Sequence, residues 1–345
     1  MQERRKKIIV TGGSGYIGSH TVVELYQSGF DVVIIDDLSN SDGSALKGIQ
    51  SITGQEISFY QVDAGDELAV NKVFELEGKV DGIIHFAAYK AVNESVEQPL
   101  KYYSNNVAGL INLLKSCLSH GCERFLFSSS CSVYGDAAQL PVSEESPLGE
   151  IRSPYARTKL MCEDILRDLA ESGSSMKSVA LRYFNPAGAH PSNEIGESPT
   201  INASNLVPVI TETAIGKRPE FTVFGDDYDT RDGTCVRDYI HVSDIASAHV
   251  LAMKAMLEEG YDLSFDLYNL GSARGNTVLE VINAFIEVNH VKPRFSIGER
   301  RAGDVIAVYA DNSKAVNQLG WNLQYDLNDI VRTAWNWEKK RSESM

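Results

Sequence analysis

A doubly wound parallel α/β sheet followed by a smaller α+β domain is the fold class that three observations predict. Short, continuously apolar runs recur at 8–10, 32–35, 57–62, 82–88, 125–127 and 179–184; helix-patterned stretches separate them; and a glycine cluster follows the first run. Unbroken apolar runs suit strands covered on both faces, and the βαβα order suits parallel pairing through crossover helices.

The first strand, Ile8-Ile9-Val10, runs into Gly12-Gly13-Ser14-Gly15-Tyr16-Ile17-Gly18, which satisfies both G-x-G-x-x-G and G-x-x-G-x-x-G. Glycine allows a tight turn and close backbone approach, and the helix over 17–28, closed by Gly29, would offer free N–H groups to a pyrophosphate. A bound dinucleotide is expected, touching Gly12, Gly15, Tyr16, Ile17 and Gly18. Asp36 ends the second strand, 18 residues after Gly18, where an acid accepts from an adenosine ribose. With Asp37 beside it a 2′-phosphate would be repelled, so NAD is favoured over NADP. Asp63 ends the third strand before a helix over 66–77; it can receive the adenine amino group or cap that helix, and both readings stand.

After the strand over 82–88 and a helix over 100–120, the strand at 125–127 leads into Ser128-Ser129-Ser130. The helix over 155–171 opens with Tyr155-Ala156-Arg157-Thr158-Lys159, 25 residues beyond Ser130. Residues four apart share a helix face, so Tyr155 and Lys159 can enter one pocket while Ser130 bonds the reacting oxygen. A phenol has a free pKa of about 10 and needs a nearby cation to act as a base at neutral pH. The set therefore predicts nicotinamide redox chemistry on a hydroxyl.

Beyond the strand at 179–184, Asn185-Pro186-Ala187-Gly188-Ala189-His190-Pro191 breaks the alternation. The expected domains are 1–185 for the cofactor and 186–345 for the substrate, with 238–260 packing back on the first; the tail 338–345 reads as poorly ordered. Of 345 residues 43% are hydrophobic, enough for large cores, and 32 basic against 47 acidic residues give a formal charge of −15. That balance argues against nucleic-acid binding and anionic membranes. Five cysteines without C-x-x-C spacing suggest neither disulfides nor zinc, and a reducing cytoplasm fits them. The basic start, Arg4-Arg5-Lys6-Lys7, is followed by only three apolar residues, short of the roughly 7 to 15 of a signal segment. The histidines have no ligand spacing; His85 reads as a satisfied strand-end residue, and no metal is expected.

Taken together, these motifs resemble the extended short-chain dehydrogenase/reductase family, with its Rossmann fold, over nearly the whole chain. The glycine loop with Ser19-His20-Thr21, the segment Leu181-Arg182-Tyr183-Phe184-Asn185-Pro186, and Val236-Arg237-Asp238-Tyr239-Ile240-His241-Val242 are most similar to the branch that inverts C4 of UDP-hexoses. Related sugar-nucleotide dehydratases carry T-D-E-V-Y-G, whose acids remove water; here Ser130-Cys131-Ser132-Val133-Tyr134-Gly135 lacks them, which counts against the alternative reading, a dehydratase or decarboxylase.

The resemblance implies transient C4 oxidation, with Tyr155 taking the hydroxyl proton and NAD returning the same hydride to the other face of a 4-ketone, so that NAD stays bound. It places Asn40, Ala64, Phe86, Ala87, Lys90, Asn105 and Phe184, with Tyr155 and Lys159, along the cofactor. It places Lys90, Ser130, Asn185, Asn205, Leu206, Phe224, Arg237, Arg301, Asp304 and Val308 around the UDP-sugar. It also implies a homodimer through a four-helix bundle built on 100–120 and 155–171. Tyr155-Ala156-Arg157-Thr158-Lys159 departs from the frequent Y-G-K-S-K but keeps the reactive pair, and Ala302 replaces the acid of R-R-E-G-D. Relatives restricted to plain hexoses resemble one another in a tyrosine where this chain has Val308; the smaller residue implies room for N-acetylated sugars, or simply fills core volume.

Overall fold

The computed structural model describes residues 4–137, 139–198, 203–301 and 304–343. In chain order the first half comprises β1 (Lys7–Thr11), α1 (Tyr16–Gln27), β2 (Asp31–Ile35), α2 (Ser44–Thr53), β3 (Ser58–Tyr60), α3 (Glu67–Glu77) and β4 (Gly82–His85). Then come α4 (Val92–Glu97), α5 (Pro99–Tyr102), a π-helical segment (Tyr103–Ala108), α6 (Gly109–Ser119), β5 (Arg124–Ser130), a 3-10 turn (Cys131–Tyr134), α7 (Pro154–Glu171) and β6 (Lys177–Tyr183). The expected single helix over 100–120 is thus one rod with a π segment inside it, a device common at functional sites.

The second half adds β7 (Asn185–Ala187), α8 (Leu206–Ala214), β8 (Phe221–Phe224), β9 (Val236–Arg237), β10 (Tyr239–His241), α9 (Val242–Leu257) and β11 (Phe265–Leu270). It closes with β12 (Asn276–Thr277), α10 (Val278–Asn289), β13 (Phe295–Gly298), β14 (Ala307–Val308), α11 (Ser313–Leu319) and α12 (Leu327–Glu343).

Seven strands form one sheet in the order β11-β6-β5-β4-β1-β2-β3, every neighbouring pair parallel. Strand order reverses between β1 and β4, which opens a crevice at their carboxyl ends. One face of the sheet packs on α1 and α9 through Val22, Val23, Ile245 and Met253, and the other on α3, α6 and α7 through Val73, Leu113 and Leu166. A third core, with Val281, Phe285, Val331 and Trp335, holds the second half together. Residues of α9, among them Ile245 and Met253, pack in the same core as α1, and β11 joins the first sheet, which sequence alone did not place there. The tail corrects its expectation: α12 runs to Glu343, with Glu338 buried between Lys217 at 2.8 Å and Arg341 at 2.7 Å. Only residues 344 and 345 of the tail lie outside the described residues. Among the described residues no helix is long and apolar enough to cross a membrane.

Four buried histidines give the fold a pH dependence. Burial pushes His20 and His85 down to about 3 and His241 and His249 to about 4. The bonding agrees with neutral rings: Nδ1 of His20 meets the Tyr16 carbonyl at 2.7 Å and Nδ1 of His249 meets that of Ile245 at 2.8 Å, while each Nε2 is buried without a partner among the described residues. Because these pKa values lie below the unfolded value of about 6.5, the unfolded chain binds the extra protons, and stability present above pH 6.5 is lost as pH falls toward 3. Burial also raises four carboxyls, Asp244 to about 6 along with Glu24, Glu144 and Asp238, and these work in the opposite direction, while carboxyls that hydrogen bonds hold low, such as Asp42 and Glu280, work with the histidines. Melting temperatures read from pH 7.5 to 4.5 are expected to fall steadily; a flat profile would contradict the neutral rings.

Candidate active site

The nucleotide end is built by the turn between β1 and α1. Gly12 has φ +70°, and a Cβ there would stand 2.7 Å from the Ala87 nitrogen. At Gly18 a Cβ would fall 2.2 Å from the Gly12 carbonyl oxygen, so α1 can lie against the turn only if that residue is glycine. Gly15 precedes the helix and no side chain caps it, which leaves the first turn open to an anion. Asp36, buried at the end of β2, accepts from the backbone N–H of Ser14 at 3.0 Å and of Leu38 at 2.9 Å, so its carboxylate stands directly beside the loop. Asp37 and Asn40 are exposed just beyond. Asp63 holds the Gly65 N–H at 2.8 Å, and the helix-cap role belongs to Asp66, which accepts from Ala69 at 3.1 Å; the cap reading of Asp63 is thereby removed. Ala64 is buried beneath it.

Half-buried Phe86 and Ala87 follow β4 across the crevice, Phe86 with its ring centroid 4.7 Å from His249. Tyr16 donates to the Gly188 carbonyl at 2.6 Å, and this ties α1 to the loop after β7. Half-buried Asn105 donates to Asn106 at 3.0 Å. The residue that the π segment buries is Asn106, which bonds Tyr89 through both its amide groups, at 2.9 and 3.0 Å, and Thr158 at 3.1 Å. Nothing in the periodicity distinguishes these two asparagines.

Ser130 ends β5 and accepts from the Ser132 N–H at 3.2 Å, which starts the 3-10 turn. Tyr155 sits in the first turn of α7, after Pro154 and the Ser153 cap, which accepts from Ala156 at 3.2 Å. Burial pushes the Tyr155 phenol up to about 12, and only its hydrogen bond with Ser130 works the other way. Lys159, one turn on and buried, donates to the Ser128 carbonyl at 2.7 Å and lies 4.8 Å from the Phe127 ring centroid. Burial lowers it to about 8, opposed by Cys162 and Glu163. The two side chains do share the helix face, yet Lys159 is spent on Ser128 and is not among the groups that shift the phenol. In the protein alone Tyr155 keeps its proton.

The second half supplies the far wall. Arg301 pairs with Asp304 at 2.8 Å and lies 5.6 Å from the ring centroid of exposed Phe224; Arg237 reaches the same carboxylate at 3.5 Å and donates to the Val305 carbonyl at 2.8 Å. Its neighbour Arg300 turns away, onto Asp227 at 2.7 Å. Val308 is in register with Arg237 and packs in a small cluster with Val133, Tyr134 and Phe184. That cluster joins the serine turn, the end of β6 and the second half. Ala302 lies outside the described residues. Asn185 opens β7, bonding the Asp238 carbonyl at 2.9 Å, and Asn205 and Leu206 open α8.

A further residue was not legible beforehand. Glu197, in the turn-rich loop after β7, takes Asn205 at 3.1 Å and Lys90 at 3.6 Å, so these two gather there rather than at Asp304. No period or motif marks it.

Residues 8–271 match the model of the NAD dependent epimerase/dehydratase family. The chain is 48% identical over 332 residues to the UDP-glucose 4-epimerase of Dictyostelium discoideum, covering 96% of this chain and 95% of that one. It is 45% identical to the Bacillus subtilis UDP-glucose 4-epimerase, covering 96% of each. Its structure superimposes on the Stenotrophomonas maltophila UDP-glucose-4-epimerase, solved with NAD and a formylated UDP-arabinopyranose, with a TM-score of 0.95 at 44% identity over 99% of this chain and 100% of that one. The UDP-Glc/GlcNAc 4-epimerase of Campylobacter jejuni gives a TM-score of 0.83 at 40% identity over 97% and 99%.

Proposed function

Since this chain belongs to the NAD dependent epimerase/dehydratase family, we propose that it interconverts UDP-hexoses epimeric at C4, with NAD as its cofactor. It is an isomerase acting on UDP-glucose and UDP-galactose. One observation carries epimerisation over elimination: between Ser130 and Tyr134 stand only Cys131, Ser132 and Val133, and burial pushes the Cys131 thiol up to about 12. A dehydratase needs a proton donor and acceptor there, and this turn has neither.

The residues fit NAD: a turn with no room for Cβ atoms, an uncapped first helical turn, and a carboxylate at the end of β2. Gly12, Gly15, Tyr16, Ile17, Gly18, Asp36, Asp37, Asn40, Asp63, Ala64, Phe86, Ala87, Lys90, Asn105 and Phe184 would hold it. When bound, NAD would supply a hydride acceptor and donor for C4, and the positive charge of its oxidised ring would favour the phenolate. Tyr155 takes the hydroxyl proton and later returns it, Ser130 orients that oxygen, and protonated Lys159 fixes the strand end behind both. Arg237 and Arg301 would turn from Asp304 to the diphosphate, with Phe224, Asn185, Asn205 and Leu206 around the nucleoside.

Residues 1–185 form the cofactor half and 186–345 the sugar half, with 238–260 packed back on the first. Val308 leaves space for an N-acetyl group, which extends the substrates to UDP-GlcNAc and UDP-GalNAc. Five free thiols fit a reducing cytoplasm. Incubating the purified protein with UDP-galactose, without added NAD, and following products by NMR tests the activity: UDP-glucose is expected, and a 4-keto-6-deoxy product would indicate elimination instead.

A homodimer buries the outer face of α6 and α7, where Ile111, Leu118 and Met161 are each about two-fifths exposed beside Leu114, Ile165 and Leu169. Ile111→Asp with Leu118→Asp is expected to halve the mass seen by light scattering; an unchanged mass rules out this face.

A further inference from the structure

The carboxyl end of β5 carries three serines in a row, each with a different anchor. The Ser128 carbonyl takes Lys159 and its hydroxyl meets Tyr183; Ser129 donates to the Glu163 carboxylate; Ser130 bonds Tyr155. Glu163 has no exposed surface and lies four residues beyond Lys159 on α7. From β6, Arg182 closes on it with Nε at 2.9 Å and Nη2 at 2.5 Å. The same guanidinium stands 4.8 Å from the ring centroid of Tyr134, the last residue of the turn that follows Ser130, and Tyr134 in turn donates to Asn269 on β11 at 2.7 Å. One buried ion pair therefore grips the residue before Ser130, the turn after it, and the helix that carries Tyr155 and Lys159.

Stability alone does not explain such a pair. Desolvating two charges offsets most of their attraction, and apolar residues of similar volume often pack as well or better. What apolar residues cannot supply is direction: two fixed N–H bonds and one O–H bond that set where the strand end lies against the helix. A reacting group displaced by about 1 Å can lose as much as 100-fold in rate.

We propose that the Glu163–Arg182 pair positions the reacting trio, fixing Ser130 on β5 against Tyr155 and Lys159 on α7. The proposal rests on the epimerase reading above. Both are positioning residues, since neither meets the reacting atoms. The pair also has an electrical role. Lys159 faces His85 from β4, Phe127 and Ser128 from β5, and Cys162 and Glu163 on its own helix. His85 is neutral there and Cys162 keeps its proton, with a thiol pushed up to about 12. Glu163 is then the anion that favours the lysine's charged form, and removing it leaves Arg182 as an unbalanced cation nearby.

The test compares wild type, Ser129→Ala and Glu163→Gln, using UDP-galactose turnover, bound cofactor absorbance, melting temperature and pH profiles. Ser129→Ala cuts the tie and leaves the pair; it is expected to lower kcat about tenfold with KM, cofactor content and melting temperature near wild type. Glu163→Gln is expected to lower kcat and move the alkaline limb of the profile to lower pH. Should Glu163→Gln be too unstable to purify, Ser129→Ala carries the test by itself. An active wild type beside a Ser129→Ala variant within twofold of its kcat overturns the positioning role alone, as does a loss of kcat matched by a loss of folded protein. A wild type that leaves UDP-galactose unchanged overturns the activity, and the positioning role with it.

Discussion

Tyr155→Phe is expected to reduce UDP-galactose turnover by about 10²- to 10⁴-fold, the usual worth of a positioned general acid–base group, with little change in cofactor content or melting temperature. The substitution removes one oxygen and keeps the ring, so packing in the first turn of α7 is preserved. What disappears is the phenol that interacts with Ser130 and can carry the hydroxyl proton out and back. Because burial holds the phenol at about 12 in the protein alone, wild-type activity should depend on the cofactor for charge as well as for redox capacity. Stopped-flow measurement of cofactor absorbance separates the steps: Tyr155→Phe should show no rapid reduction on mixing with UDP-galactose. A variant within tenfold of wild type would remove Tyr155 from the chemistry.

Val308→Tyr is expected to reduce turnover of UDP-GalNAc by about 100-fold, the scale of steric discrimination in a pocket, and to leave UDP-galactose turnover within a few-fold. Val308 is 8% exposed and packs with Val133, Tyr134 and Phe184, beside the turn that begins at Ser130. A tyrosine ring must either project from that cluster into the sugar space or stay inside it. Overpacking of the second kind costs about 1–3 kcal/mol and would lower the melting temperature and both activities together. Selective loss with an unchanged melting temperature therefore identifies a specificity position, and parallel loss identifies a core position. A wild type that ignores UDP-GalNAc would show that the extra space is not used.

The parts of this molecule that could be read in advance share a physical cause. β1, β2, β4, β5 and β6 are covered on both faces, so burial writes itself into sequence as unbroken apolar runs. β11 escaped because Phe265-Asp266-Leu267-Tyr268-Asn269-Leu270 is interrupted by polar residues with specific partners: Asp266 holds Lys314 at 2.6 Å, and Asn269 holds Tyr134 and the Val142 carbonyl. The tail was misjudged for a related reason, since its charges look solvated in sequence but Glu338 is neutralised inside the fold. At the site, residues fixed by a local rule were visible: glycines that no Cβ can replace, and a tyrosine and lysine one turn apart. Glu197, Asn106 and the Glu163–Arg182 pair are defined by partners 8 to 107 residues away, and no local pattern encodes such meetings.

The path of the chain between the two halves bears on what happens mid-reaction. It passes from β6 to β7, returns from β10 into α9, leaves after β11, returns once more at α11, whose Ala315 packs in the first half's core with Trp321, and leaves again into α12, so five stretches of backbone join the halves where a single linker would permit free hinging. A multiple connection of this kind resists wide opening. For a catalyst whose substrate must be turned over halfway through, confinement matters more than quick exchange with solvent: a ketone that escaped early would strand the enzyme in the wrong oxidation state. An interleaved chain path of this kind would favour keeping the sugar in place while it turns.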